Sequence, residues 1–465
     1  MLHYYWSSTE NDNNNAWKQN FNNGNQNNNN KNNTNNVRAV RAFQTFLKKG
    51  GSLSPFLRNI FIIKTQIIPL GDLFKAYYSC RKNKRNTINA LAFELNLEEE
   101  LIKLKAALEN GTYTISSSIS FVVDKPVKRE IFAANFRDRV VHHLLIQKMN
   151  ALFEQHFIYD SYACRKGKGT HFGIGRVDGF IRKCSKNYTQ DCYVLKLDIK
   201  GFFMHINKTI LYTKIEALFT EKYNGADKEL YLNLCKTILF NEPVTNAVIK
   251  GNLSNWDNLP KDKSLFSAKN GYGLPIGNLT SQVFANLYMS SLDHFIKHTL
   301  GIRYYGRYVD DFVLVHTNKA YLKSLIPIIA KFLKSELHLK LHPKKIYLQH
   351  YSKGVSYIGA FIKPNRIYVS KRTKGNFYQA IQKQNKILVN KKPTKEEQLF
   401  FISSMNSYLG ILKHFMTYKL RKYYILEKLS KKWMNFFSVS KSLTKFTKLI
   451  VILLLVLVCY EYLIN

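Results

Sequence analysis

The segment Arg307-Tyr308-Val309-Asp310-Asp311-Phe312-Val313-Leu314-Val315 sets two adjacent carboxylates inside a run otherwise apolar enough to be buried. Strands that alternate or bury both faces cannot hold two consecutive acids in their interior, so the pair belongs at the turn of a hairpin over 304–315. A second segment has related chemistry: Leu195-Lys196-Leu197-Asp198-Ile199-Lys200-Gly201-Phe202-Phe203, a strand over 193–198 that ends in an acid. If the two segments are antiparallel neighbours in one sheet, Asp198, Asp310 and Asp311 converge. Three carboxylates that close repel one another unless a dication lies among them. Their hard oxygens select Mg²⁺, with Mn²⁺ as the alternative. Two such ions about 4 Å apart suit phosphoryl transfer, activating a hydroxyl and stabilising the leaving phosphate.

The charge balance points to the same chemistry. The 465 residues carry 70 Lys+Arg against 31 Asp+Glu, a net +39, which calls for a polyanionic partner. With 45% apolar and 14% aromatic residues the chain as a whole is not disordered. Six scattered cysteines, with no Cys-x-x-Cys, argue against a disulfide scaffold or zinc finger and for a reducing, cytoplasmic compartment. No signal peptide opens the chain. The apolar run 449–460 is shorter than the roughly 20 residues a membrane span needs, so it reads as a terminal helix or tail and no membrane partner is expected.

The organisation follows from composition and pattern. Residues 11–36 contain 16 Asn in 26 positions, so the head, 1–43, is expected to be disordered. A connector with Gly50, Gly51 and Pro55 covers 44–68. From residue 69 the chain becomes globular, with helices over 73–108, a strand or hairpin over 113–123 and helical character over 129–157. After a long mixed segment come a helix over 281–298 and strands near 347 and over 356–362. Residues 371–448 hold 18 Lys/Arg and only three acids at helical spacing, which places a domain boundary near 370.

Tyr308-Val309-Asp310-Asp311 resembles the catalytic turn of reverse transcriptases, and Asp198 stands where that family has its first palm aspartate. One branch is most similar. Gly273-Leu274-Pro275-Ile276-Gly277-Asn278-Leu279-Thr280-Ser281-Gln282 resembles the motif of reverse transcriptases from diversity-generating retroelements, as do 136–143 and 160–171. The resemblance implies an α+β right-hand polymerase: fingers over 69–190, palm over 191–370, a basic helical thumb over 371–448 and an apolar tail over 449–465. It implies an RNA-directed DNA polymerase with Asp198, Ile199, Asp310 and Asp311 at the metal. Lys125, Arg129, Lys200, Gly201, Phe202, Phe203, Ile276 and Gly277 would bind the incoming dNTP, with Phe203 as a gate against the ribose 2′-hydroxyl. Arg165, Lys166 and Lys168, in a glycine-interrupted basic loop, and Tyr357 and Gly359, in a primer-grip-like hairpin, would contact RNA and primer.

Ile276 can supply only apolar bulk where related enzymes have Gln, and the branch is associated with errors opposite template adenine. The implied partners are a template RNA, a primer strand, dNTPs and a small basic accessory protein. The head, from Trp6 to Phe43, resembles a translated template repeat, in which Asn codons supply adenines. An intron, retron or phage-defence reverse transcriptase is the enzymatic alternative, and a non-catalytic RNA-binding scaffold the other.

Overall fold

The computed structural model describes residues 4–10, 15–20, 26–30, 68–82, 87–124, 127–431 and 433. It divides into two units, 1–67 and 68–465. In the first, β1 (Tyr4–Glu10), β2 (Asn15–Asn20) and β3 (Gln26–Asn30) form an antiparallel meander. This differs from the disorder expected of an Asn-rich head; a backbone ladder needs only N–H and C=O groups, which every residue except proline supplies. The apolar run 449–460 lies outside the described residues, and none of the described helices is long and apolar enough to cross a membrane.

The second unit is α+β, as expected. Helices α1 (Leu70–Arg81), α2 (Ile88–Leu95) and α3 (Leu97–Glu109) lead to the antiparallel pair β4 (Ile119–Val123) and β5 (Arg129–Ala133). Residues 129–133, which the sequence assigns to a helix, are therefore strand. Asn135 makes the break: its side chain caps the next helix by accepting from the Arg137 N–H at 3.0 Å. That helix, α4 (Phe136–His156), packs against α1 and is followed by α5 (Thr170–Cys184). Next come β6 (Tyr193–Leu197), the short α6 (Phe202–His205), α7 (Lys208–Lys222) and α8 (Lys228–Phe240). A short strand β7 (Val248–Ile249) pairs with β4, and α9 (Leu279–His294) runs beneath the central sheet. The chain then forms β8 (Tyr304–Tyr308), β9 (Asp311–His316), α10 (Lys319–Leu337) and β10 (Tyr347–His350). A three-stranded antiparallel sheet follows: β11 (Val355–Tyr357), β12 (Ala360–Lys363) and β13 (Arg366–Val369).

The central sheet, ordered β10-β6-β9-β8, is antiparallel throughout, and its inner strands β6 and β9 are largely buried on both faces. Successive side chains of a strand point to opposite faces, and here each face has its own core. Leu195, Leu197, Phe312 and Leu314 join the large core beside α4, α7, α9 and α10. Val194, Val313 and Val315 join a second core with Val177 and Ile181 of α5 and Tyr357 and Ile362 of the small sheet. A one-residue slip would exchange the two sets, so the register is strongly specified. Helices α11 (Lys371–Asn390), α12 (Lys395–Leu412) and α13 (Tyr418–Lys422) close round a third core that includes Phe377, Phe401 and Trp433. Thr394 and Glu397 form a reciprocal capping box at the start of α12.

Candidate active site

The register of β6 against β9 builds the site. Leu197 lies opposite Phe312, so the next residues, Asp198 and Asp311, face each other where the strands leave the sheet. On the other side of β9, Tyr308 pairs with Asp311, so Val309 and Asp310 alone form the hairpin turn. Val309 takes φ +56°, a conformation ordinarily given to glycine and costly for a β-branched residue. The three aspartates predicted from the sequence therefore come together.

Their electrostatics are strained. Burial, then the charges of Asp198 and Asp311, push the Asp310 carboxyl up to about 7. Burial also raises Asp311; Lys196 pulls it down and Asp198 pushes it further up. The Lys345 ammonium donates to both oxygens of Asp198, at 2.9 and 2.8 Å. Lys196 stands 3.5 Å from Asp311 Oδ1, yet that buried oxygen accepts no hydrogen bond. Among the described residues no three acidic, His or Cys side chains stand in ligating geometry. Repelled carboxylates with an orphaned oxygen are nonetheless the donor set that suits a hard divalent cation.

The carboxylates lie in an open cleft of about 1450 Å³. Arg129, exposed at the start of β5, lines it, as do Ile199, Gly201, Phe202, Phe203, Ile276, Gly277 and Gly359. Phe203 is partly buried beside Ile276, in an apolar cluster with Phe132, Met204 and Leu265. Ile276 accepts the Phe132 N–H at 2.8 Å, which ties the Ile-Gly motif to β5. Gly277, at φ +127°, has no room for a Cβ, which would stand 3.0 Å from the Phe132 carbonyl oxygen. Gly201, at φ +56°, is equally constrained by the Asp262 carbonyl, 2.8 Å from where its Cβ would be.

Five expected residues, Lys200, Arg165, Lys166, Lys168 and Tyr357, stand apart from the cleft. The Lys200 N–H donates to the Lys340 carbonyl, and Lys200 is not among the residues lining the cleft. Arg165 pairs with Glu154 at 2.8 Å and donates to the Ile158 and Ser161 carbonyls, so its guanidinium serves the loop itself. Lys168 bonds the Tyr159 carbonyl and sits 4.4 Å from that ring's centroid. Tyr357 is fully buried in the second core, and its hydroxyl lacks a hydrogen bond. Lys166 is exposed, whereas Lys125 lies outside the described residues.

A family model described as reverse transcriptase (RNA-dependent DNA polymerase) matches residues 125–362, just over half of the chain. The chain belongs to the reverse transcriptase family. No curated protein sequence matches it. Among solved structures, apo telomerase from Candida tropicalis truncated from its C-terminal domain is similar at 14% identity and TM-score 0.40, covering 55% of each chain. Full apo telomerase from that organism gives 13% identity and TM-score 0.43, over 70% of this chain and 61% of that one. Telomerase from Candida albicans in complex with a TWJ fragment of telomeric RNA gives 11% and 0.41, over 74% and 63%. The chain thus spans 55 to 63% of the length of these structures.

Four residues at and behind the site are not evident from the sequence alone. Lys345 is one of 70 basic residues and becomes conspicuous only once β10 pairs with β6 and brings it to Asp198. Asp262 and Lys263 reach the cleft from the stretch between β7 and α9. Glu130, fully buried on β5, anchors that stretch by accepting from Trp256 Nε1 at 2.8 Å, Ser264 Oγ at 2.7 Å and the Leu265 N–H at 2.6 Å.

Proposed function

We propose that the chain is the reverse transcriptase of a diversity-generating retroelement, copying a template-repeat RNA into cDNA with errors concentrated at template adenines, for mutagenic retrohoming. The observation that carries the polymerase reading is the β6–β9 register, which sets Asp198 across from Asp311 with Asp310 beside them in an open cleft. Asp198, Asp310 and Asp311, with Ile199 alongside, would hold Mg²⁺, which when bound polarises the attacking hydroxyl and the leaving phosphate. Lys345 and Lys196 hold the carboxylate charge in check in its absence.

The other assignments build on that centre. Arg129 would fork onto triphosphate oxygens at the fingers side of the cleft. Phe203 would crowd a ribose 2′-hydroxyl. Ile276 would give the nascent pair an apolar surface with no hydrogen bond to reward the correct partner. Residues 69–190, 191–370 and 371–448 would act as fingers, palm and thumb, the basic thumb gripping duplex backbone. The retroelement branch rests on the Ile276-Gly277 and Ser281-Gln282 motif and the Asn-rich head. Template RNA, primer, dNTPs and a small basic accessory protein are the partners.

The test is sequencing of cDNA made from an adenine-rich template repeat, with dNTPs, Mg²⁺ and the accessory protein, beside an Asp310→Asn/Asp311→Asn control. Metal-dependent cDNA with errors at template adenines, absent from the control, is expected. Faithful cDNA would leave the polymerase standing and reject the mutagenic branch. Absence of cDNA from a folded, RNA-binding protein would favour the scaffold.

A further inference from the structure

The strongest unassigned feature is a fully buried ionic network directly behind the hairpin turn. Arg307 and Asp293 are completely excluded from solvent. The guanidinium meets the carboxylate as a fork, Nε to Oδ1 at 2.7 Å and Nη2 to Oδ2 at 2.6 Å. Tyr305 adds a 2.6 Å bond to Asp293 Oδ1. The remaining guanidinium hydrogens leave the pair: Nη1 donates to the Val309 carbonyl at 2.8 Å and to Asn286 Oδ1 at 3.2 Å, and Nη2 reaches Ser161 Oγ at 3.3 Å. The Arg307 backbone continues the linkage, its N–H donating to the Asp160 carbonyl and its own carbonyl accepting from Tyr162, each at 2.9 Å.

We propose that Arg307 is a positioning residue that fixes the catalytic turn, holding Asp310 and Asp311 where metal and substrate require them. This deepens the polymerase reading above and rests on it. A buried ion pair is weak evidence of a stabilising role, because apolar residues of similar volume commonly serve the fold as well. What apolar residues cannot provide is a donor for the Val309 carbonyl. That carbonyl belongs to the residue in the unfavourable left-handed conformation, one position before Asp310. A β-branched residue persists there only if its surroundings over-determine it. Arg307 does this from three directions at once: helix α9 through Asp293 and Asn286, the 160–162 segment through Ser161, and the turn itself. A turn free to move by about 1 Å can cost on the order of 100-fold in rate.

Two variants separate positioning from stability. The first, Arg307→Met/Asp293→Leu/Tyr305→Phe, removes the ionic and phenolic groups together and leaves apolar packing. The second, Arg307→Lys, keeps the charge opposite Asp293 but not the fork that also reaches Val309. Each is compared with the native chain for thermal midpoint, for Mg²⁺ affinity by calorimetry without nucleic acid, and for kcat and KM in primer extension. The expected result is a folded protein with KM for dNTP little changed, kcat lowered about 10- to 100-fold and Mg²⁺ binding weakened about tenfold. Native kcat and native Mg²⁺ affinity in either folded variant would overturn the proposal. So would failure of both variants to fold, which would make the network a support of the fold alone. An inert native chain would instead count against the polymerase reading, while the Mg²⁺ comparison would still decide the role of Arg307.

Discussion

The carboxylate turn and the basic loop that precedes α5 are both dense in charge, and they treat it in opposite ways. In the loop, Arg165 is matched by Glu154, and Asp160 is met by a fork from Arg176 on α5 at 2.6 and 2.9 Å. Lys168 is spent on the Tyr159 carbonyl and ring. At the turn, three acids share two lysines, one buried oxygen has no hydrogen bond, and the Asp310 carboxyl is driven up to about 7. Apart from the exposed Lys166, the charges around this loop are answered within the chain, so they build structure. The turn's charges are left short of partners, and that shortfall is what a cation or substrate can supply.

The most forceful way to break this comparison is Asp310→Asn/Asp311→Asn. Activity should fall by about 1000-fold or more, since several kcal/mol of transition-state stabilisation is lost. The thermal midpoint in chelator should rise, because repulsion is relieved. Mg²⁺ should raise the midpoint of the native chain and leave that of the double variant unmoved. A fall in midpoint with lost activity would mean the acids serve the fold.

Next in size is Arg165→Ala, expected to cost about 2–3 kcal/mol in denaturant titration, because Glu154 and two carbonyls lose their donor. RNA affinity per folded molecule should not change. Lys166→Ala should do the reverse, leaving stability alone and lowering the salt slope of RNA binding by about 1. Phe203→Ala should leave dNTP turnover largely intact while rNTP incorporation rises; unchanged discrimination would return that ring to plain packing.

The smallest effect concerns His142, fully buried on α4, where burial lowers its pKa from 6.5 to about 3. The folded chain keeps it neutral while the unfolded chain protonates near 6.5. Its contribution to stability is therefore complete above that value and is lost as pH falls from about 6.5 toward 3. Melting curves of native and His142→Gln protein should converge in slope with pH if this assignment fails.

Much of the site was legible because its signal is local. Apolar residues running into Asp198, and flanking Asp310 and Asp311, state both a strand and the point where it meets solvent. Lys345 and the occupation of Arg165 were not legible, since each depends on a partner brought near only by tertiary pairing: Asp198, 147 residues away, and Glu154 on α4. Tyr357 misled for a related reason. Its strand was visible, but which of two alternating faces met the cleft depends on the second core. Helix α7 had a readable pattern in Leu211, Ile215, Leu218 and Phe219, yet lay hidden in a stretch of mixed composition. At 129–133 the helical reading ran through Asn135, a capping residue that marks where strand gives way to helix.

The two-faced central sheet also bears on how the chain comes to life. Strands β6 and β9 are far apart in sequence, and both cores must accept their side chains before Asp198 meets Asp311. Closing such a long loop precedes any reward from packing, so this pairing belongs to the late, slow part of folding. During synthesis the ribosome would have to release β9 before any fragment could assemble the three acids. A prematurely ended product would then lack the three-acid site altogether.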